Sequence, residues 1–104
     1  MGADPRLSFQ TLQVLQAFLE RPEHELAGTD VLSRTGLASG TAYPILARLE
    51  QSGWLKSEWE DADPKQVGRP RRRYYRITGL GIRKAEDALR RIRARSTLKK
   101  LAWA

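Results

Sequence analysis

Apolar residues recur every three or four positions as far as Leu49, alternate with polar ones from Trp54 to Glu60 and again from Arg72 to Thr78, and return to helical spacing after Gly79. Side chains repeat their direction about every 3.6 residues on a helix and every second residue on a strand, so the two changes of period impose helices, then a strand pair, then a helix. With 104 residues and 40% apolar content, there is material for one modest core and one domain.

Local signals divide the helical part. Ser8 is placed to cap a first helix whose apolar stripe is Phe9, Leu12, Leu15, Phe18 and Leu19, with Pro22 stopping it after Arg21. A second helix fits Gly28 to Thr35, Val31 and Leu32 inward, and ends where Gly36 can take the left-handed conformation. The turn "TGLAS" leads into a third helix with Ala42, Leu46 and Leu49 on one stripe and Ile45 beside it, ending at Ser52-Gly53. The alternating stretches "WLKSEWE" and "RYYRIT" read as two antiparallel strands, with Tyr75 and Ile77 on one side and Arg72, Tyr74 and Arg76 on the other. Between them "DADPKQVGRP", rich in turn formers and too long for a tight hairpin, should project into solvent as a wing. Thr78 can cap a last helix reaching Arg95 or Trp103, with Ile82, Ala85, Leu89 and Ile92 at heptad spacing. The expected fold is mainly α with a small antiparallel β-hairpin. It is a winged helix-turn-helix over residues 1–78 plus a long C-terminal helix over 79–104, in one structural unit.

Charge is distributed unevenly along this plan. Residues 1–64 hold 5 basic and 10 acidic side chains, whereas residues 65–104 hold 14 basic and 2 acidic. A basic half of that density points to a polyanionic partner. There is no cysteine, which excludes disulfides and thiolate sites. The start "MGADPRLSFQ" has no basic and apolar leader, and no run of about 18 apolar residues offers a membrane span, so a cytoplasmic protein without a membrane partner is expected. His24, the one histidine, stands between Glu23 and Glu25 and reads as a surface residue. Glu58, Glu60, Asp61 and Asp63 read as a solvated acidic loop rather than a metal cluster. Neither an enzyme nor a cofactor is expected.

Two segments carry the candidate chemistry. In "SGTAYPILARLEQSG", burying Ala42, Leu46 and Leu49 leaves Gly40, Thr41, Tyr43, Pro44, Ala47 and Arg48 on the open face, with little bulk in the first turn to keep a phosphate from the helix N-terminus. With Ser39 as cap, Pro44 would occupy the fifth helical position and remove a backbone bond; with Thr41 as cap it would fall harmlessly in the first turn. In "VGRPRRRYYRIT", Arg69, Arg71, Arg72 and Arg73 can hydrogen-bond phosphates in pairs, joined by Lys65 on the wing. Tyr75 anchors the wing to the core, while Tyr74 supports the arginine stems or meets a phosphate. "GRPR" shares part of the minor-groove hook Arg-Gly-Arg-Pro, though Val67 precedes Gly68 here.

"SGTAYPILARLEQSGWLKSEWE" followed by "GRPRRRYYRIT" and a glycine-containing helix start closely resembles the PadR-like family of winged-helix transcriptional regulators, over about residues 7 to 95. The single short C-terminal helix matches the small-tailed branch. The resemblance implies a homodimeric, DNA-binding repressor without an identified small-molecule effector. The helix around Ser39, Gly40, Thr41, Tyr43 and Pro44 would enter the major groove, with Arg69 to Arg73 on the backbone. It also implies dimerisation through the last helix, where Leu89, Ile92, Leu98, Leu101 and Trp103 are the candidates; Glu20 of the first helix could pair with some of that helix's cations. An RNA-binding or architectural module is the rival reading, since an arginine-rich hairpin binds any polyanion. A protein-binding module using Trp54, Trp59 and Trp103 ranks third.

Overall fold

A computed structural model describes residues 4–103; near the C-terminus the side chain of Leu101 is included and those of Lys99, Lys100, Ala102 and Trp103 are not. The chain runs α1 (Phe9–Leu19), β1 (Leu26–Ala27), α2 (Gly28–Thr35), α3 (Ser39–Gln51), β2 (Leu55–Trp59), α4 (Pro64–Val67), β3 (Arg73–Ile77) and α5 (Gly79–Trp103). This is the winged helix-turn-helix with a long last helix that the periodicity requires. Two short elements are additions. α4 interrupts the wing, capped by Asp63, whose side chain accepts the Lys65 N–H at 3.0 Å. β1 lengthens the hairpin to a three-stranded antiparallel sheet of order β1-β3-β2. Two residues are too few to show alternation, so β1 exists only because β3 offers Tyr74 and Tyr75 as partners.

Helix caps follow local chemistry. Ser8 Oγ accepts the Thr11 N–H at 3.1 Å and starts α1. Phe9 departs from expectation: it is 73% exposed, because the buried face of α1 is Thr11, Val14, Leu15, Ala17 and Phe18, centred roughly half a turn away from it. α2 begins where the Asp30 carboxylate accepts the Ala27 N–H at 2.9 Å, and ends at Gly36 with φ 73°. The start of α3 is neither of the two alternatives: Ala38 is the cap and Ser39 the first helical residue, so Pro44 sits well inside the helix. There it has no N–H to return to the Gly40 carbonyl, a loss tolerated because both residues are exposed and water can serve that oxygen.

The core joins Val14, Leu15 and Phe18 of α1, Val31 of α2, Ile45, Leu46 and Leu49 of α3, and Trp54, Leu55, Tyr75 and Ile77 of the sheet. Each such large side chain stabilises the fold by about 1.5–3 kcal/mol on full burial. Thr78 is the joint between hairpin and α5. Its N–H donates to the Trp54 carbonyl at 2.9 Å, its hydroxyl donates to the Gly53 carbonyl at 2.7 Å, and its Oγ1 accepts the Gly81 N–H at 3.0 Å. The contact is so close that a Cβ on Gly81 would lie 2.2 Å from the Trp54 carbonyl oxygen, so only glycine fits there. From that joint α5 packs with Ala85 and Ala88 buried, and then leaves the core.

Candidate nucleic-acid interface

α3 presents Ser39, Gly40, Thr41, Tyr43, Pro44 and Arg48 to solvent, since its inner stripe is Ala42, Ile45, Leu46 and Leu49. Tyr43 is 40% exposed because its ring lies over the start of α2: a Cβ on Gly28 would come within 2.6 Å of Cε1. The glycine therefore makes room for the ring, and Tyr43 both packs and faces outward.

Across from Tyr43 stands the wing, and a cleft of about 540 Å3 separates them, bordered by Gly28, Thr29, Tyr43, Trp59, Tyr75 and the segment 69–73. The register builds its floor. Leu55 faces Ile77, Ser57 faces Tyr75 and Trp59 faces Arg73, so one face of the hairpin passes from apolar core to basic rim in three steps. Burial raises the Tyr75 hydroxyl pKa above the usual phenol value, against the opposing pull of Arg73.

The wing arginines divide into two groups. Arg69 is held by Glu60 through two hydrogen bonds, Nη1 to Oε1 at 2.7 Å and Nη2 to Oε2 at 2.9 Å. Arg73 points inward: its Nε donates to Ser57 Oγ at 2.9 Å, its Nη2 is 3.6 Å from Glu50 Oε1, and its guanidinium stacks 5.0 Å from the centroid of the Trp59 ring. Ser57 also donates to Glu50, so α3, β2 and β3 share one polar network. Arg76, on the opposite face, is 3.4 Å from Glu25. Arg71 donates through Nε to the Ala62 carbonyl at 3.1 Å, and the Arg72 guanidinium has no hydrogen bond or ion pair to another described residue. Two of the four wing arginines expected at a phosphate backbone thus brace the wing. For Arg73 the signal was in the sequence, since strand alternation puts it with Tyr75 and Ile77.

Other candidates are more scattered. Lys65 is exposed on α4, and Tyr74 is half-buried on the face opposite Tyr75. Glu60 is the residue sequence reasoning misread: its side chain is 14% exposed and ion-paired rather than part of a solvated loop. The Arg69 hydrogen bonds are the main cause that lowers its pKa from 4.5 to about 2. Glu58, Glu60, Asp61 and Asp63 do not converge; no group of acidic, histidine or cysteine side chains among the described residues is arranged to hold a metal. No helix among them is long and apolar enough to cross a membrane.

The last-helix candidates lie apart from this surface. Leu89 is half-buried, Ile92 is 40% exposed, and Leu98 and Leu101 are 66% and 68% exposed; the Trp103 side chain lies outside the described residues. Glu20 is paired within its own chain, with Arg34 at 3.1 Å.

The fold recurs in known regulators. A PadR family transcription regulator from Clostridium difficile R20291 superposes with a TM-score of 0.74 at 19% identity, covering 93% of this chain and all of that one. PcaV, a transcriptional regulator from Streptomyces coelicolor solved with its natural ligand, gives 0.71 at 28% identity over 94% of this chain and 63% of its own. MepR of S. aureus, in a DNA-binding conformation, gives 0.67 at 15% identity, over 94% of this chain and 66% of that one. The chain thus spans just under two thirds of the length of PcaV and MepR. No curated protein matches it significantly by sequence. The model of the transcriptional regulator PadR-like family matches residues 14–87, from the core of α1 through the wing and into α5, and with the winged fold and its basic cleft this shows that the chain belongs to that family of DNA-binding transcription regulators.

Proposed function

We propose that the protein is a sequence-specific repressor that binds an inverted-repeat operator as a homodimer. Residues up to 78 form the DNA-binding unit and α5 the dimerising one. The observation that carries the reading is one cleft bordered by Tyr43, from the solvent-exposed face of α3, and by the wing segment 69–73 with its arginines. α3 enters the major groove, its first turn of Ser39, Gly40 and Thr41 close to phosphate and Thr41, Tyr43 and Arg48 at base edges. Arg71 and Arg72 meet the backbone, with Lys65 and Tyr74 at the periphery. Arg69 and Arg73 hold the wing in place for them. Work on chromosomal DNA implies a cytoplasmic protein.

Selection of bound duplexes from a random DNA pool tests this. The expected product is a palindromic consensus whose half-site centres lie about 34 Å apart, one helical turn, or a multiple of it. Enrichment without a consensus, or displacement of DNA by structured RNA at equal concentration, would favour an architectural or RNA-binding module instead.

A further inference from the structure

Glu60 is an acidic side chain at the base of the wing, which carries Lys65, Arg69, Arg71 and Arg72 alongside the exposed Asp61 and Asp63. It stands where β2 ends, and both carboxylate oxygens are taken by Arg69. The Arg72 N–H adds a bond to Oε1 at 3.3 Å, and the Glu60 N–H donates to the Arg72 carbonyl at 2.8 Å. One residue thus ties together positions twelve apart in sequence, closing the loop that carries α4 and the Gly68-Arg69-Pro70 turn.

We propose that Glu60 is a positioning residue for DNA binding, which closes the base of the wing through Arg69 and so holds Arg71 and Arg72 in one projection. The inference rests on the DNA-binding reading above. It runs against simple electrostatics, by which an anion beside a polyanion repels it and its removal should tighten binding. The geometry reverses the expected sign. Within a two-point ion pair Arg69 and Glu60 present no net charge to DNA, so removing Glu60 frees one guanidinium at the cost of an open loop. Binding must then order that loop as well as its side chains, and disorder paid for on association subtracts from affinity. The Arg71 bond to the Ala62 carbonyl depends on the same closure, because Ala62 lies inside the loop.

Titration of the selected duplex at several salt concentrations, with wild type, Glu60→Gln, Arg69→Gln and the double variant, tests the proposal. Each single variant should bind about three- to tenfold more weakly. The double should be no worse than either single, as residues acting as one unit are not additive. Slopes against salt should match wild type, because neither side chain touches phosphate. Hydrogen exchange at the Arg72 amide should quicken in both single variants without DNA, while thermal melting stays cooperative, shifted at most slightly by loss of the exposed pair. Equal or tighter binding by Glu60→Gln would overturn the proposal. So would a slope reduced by about one unit in Arg69→Gln alone, which would put Arg69 on a phosphate. Loss of cooperative melting in Glu60→Gln would also overturn it, by showing that the pair serves the fold. Wild-type protein that binds no duplex would remove the DNA reading itself, whereas a binding wild type with an unaffected Glu60→Gln variant would remove only this role.

Discussion

Single residues in this protein take their roles from what they touch rather than from their charge. Tyr43 offers an outward edge only because Gly28 leaves room for the rest of its ring. Glu60, one of four acidic residues between positions 58 and 63, differs from the others by its bidentate partner. Its lowered pKa makes the effect measurable. A carboxylate with a depressed folded-state pKa contributes stability that is complete above its unfolded value, here 4.5, and is lost as pH falls through the folded value of about 2. Carboxyl chemical shifts followed by NMR through acid titration should therefore give Glu60 a midpoint near 2, with Arg69→Gln moving it back toward 4.5. A wild-type midpoint near 4.5 would mean that the ion pair is not formed in solution.

At the scale of elements, the wing is a braced projection and not a flexible basic arm. Its inner face carries Ile77, Tyr75 and Arg73 in succession, and Arg73 reaches Ser57 and Glu50, so the hairpin is fastened to the end of α3. The braced and free arginines should separate in a salt titration. Arg71→Ala with Arg72→Ala should weaken binding to every duplex and lower the logarithmic salt slope by roughly one unit per lost phosphate contact. Arg73→Ala should weaken binding with the slope unchanged, because it loosens the wing without removing a phosphate contact. Identical slopes in the two proteins would refute the division. Strand alternation puts Arg73 in phase with Tyr75 and Ile77, although the expectation from the sequence is a phosphate contact, whereas the pairing of Arg69 with Glu60 depends on how the loop returns, which no periodicity encodes.

For the whole molecule, α5 decides the shape. Its 25 residues amount to about 37 Å of helix, in a molecule measuring 61 by 29 by 23 Å. Beyond Leu89 every side chain described on it is exposed, including Ile92, Leu98 and Leu101, and Leu7 lies beside Ile92. A chain leaving these apolar residues in water gains by covering them with a second copy, and two-fold pairing places the copies symmetrically. Arg90 and Arg91 are partly offset by Asp87, at 3.9 and 2.8 Å, which lessens repulsion across such a seam. Light scattering at micromolar concentration should show a dimer for the wild type. Replacing Leu98→Glu and Leu101→Glu together should shift it toward monomer with the winged domain still folded by circular dichroism. A monomeric wild type would exclude both the dimer and the inverted repeat.

Most of what depends on neighbours along the chain was legible in the sequence, the short α4 and the Ala38 cap of α3 excepted. The period changes set the order of the helices and the two long strands, and Ser8, Gly36 and Thr78 marked helix boundaries. Features that depend on residues far apart in sequence were set by the folded arrangement. β1 exists by pairing with Tyr74 and Tyr75, and Phe9 is exposed because the rotation of α1 against its neighbours turns Thr11 inward. Of five arginines between positions 69 and 76, it leaves Arg71 and Arg72 facing outward, because Glu60, Glu50 and Glu25 engage the other three. Ion pairing is short-ranged and directional, so which cation remains available to DNA is settled by where the folded chain brings its carboxylates.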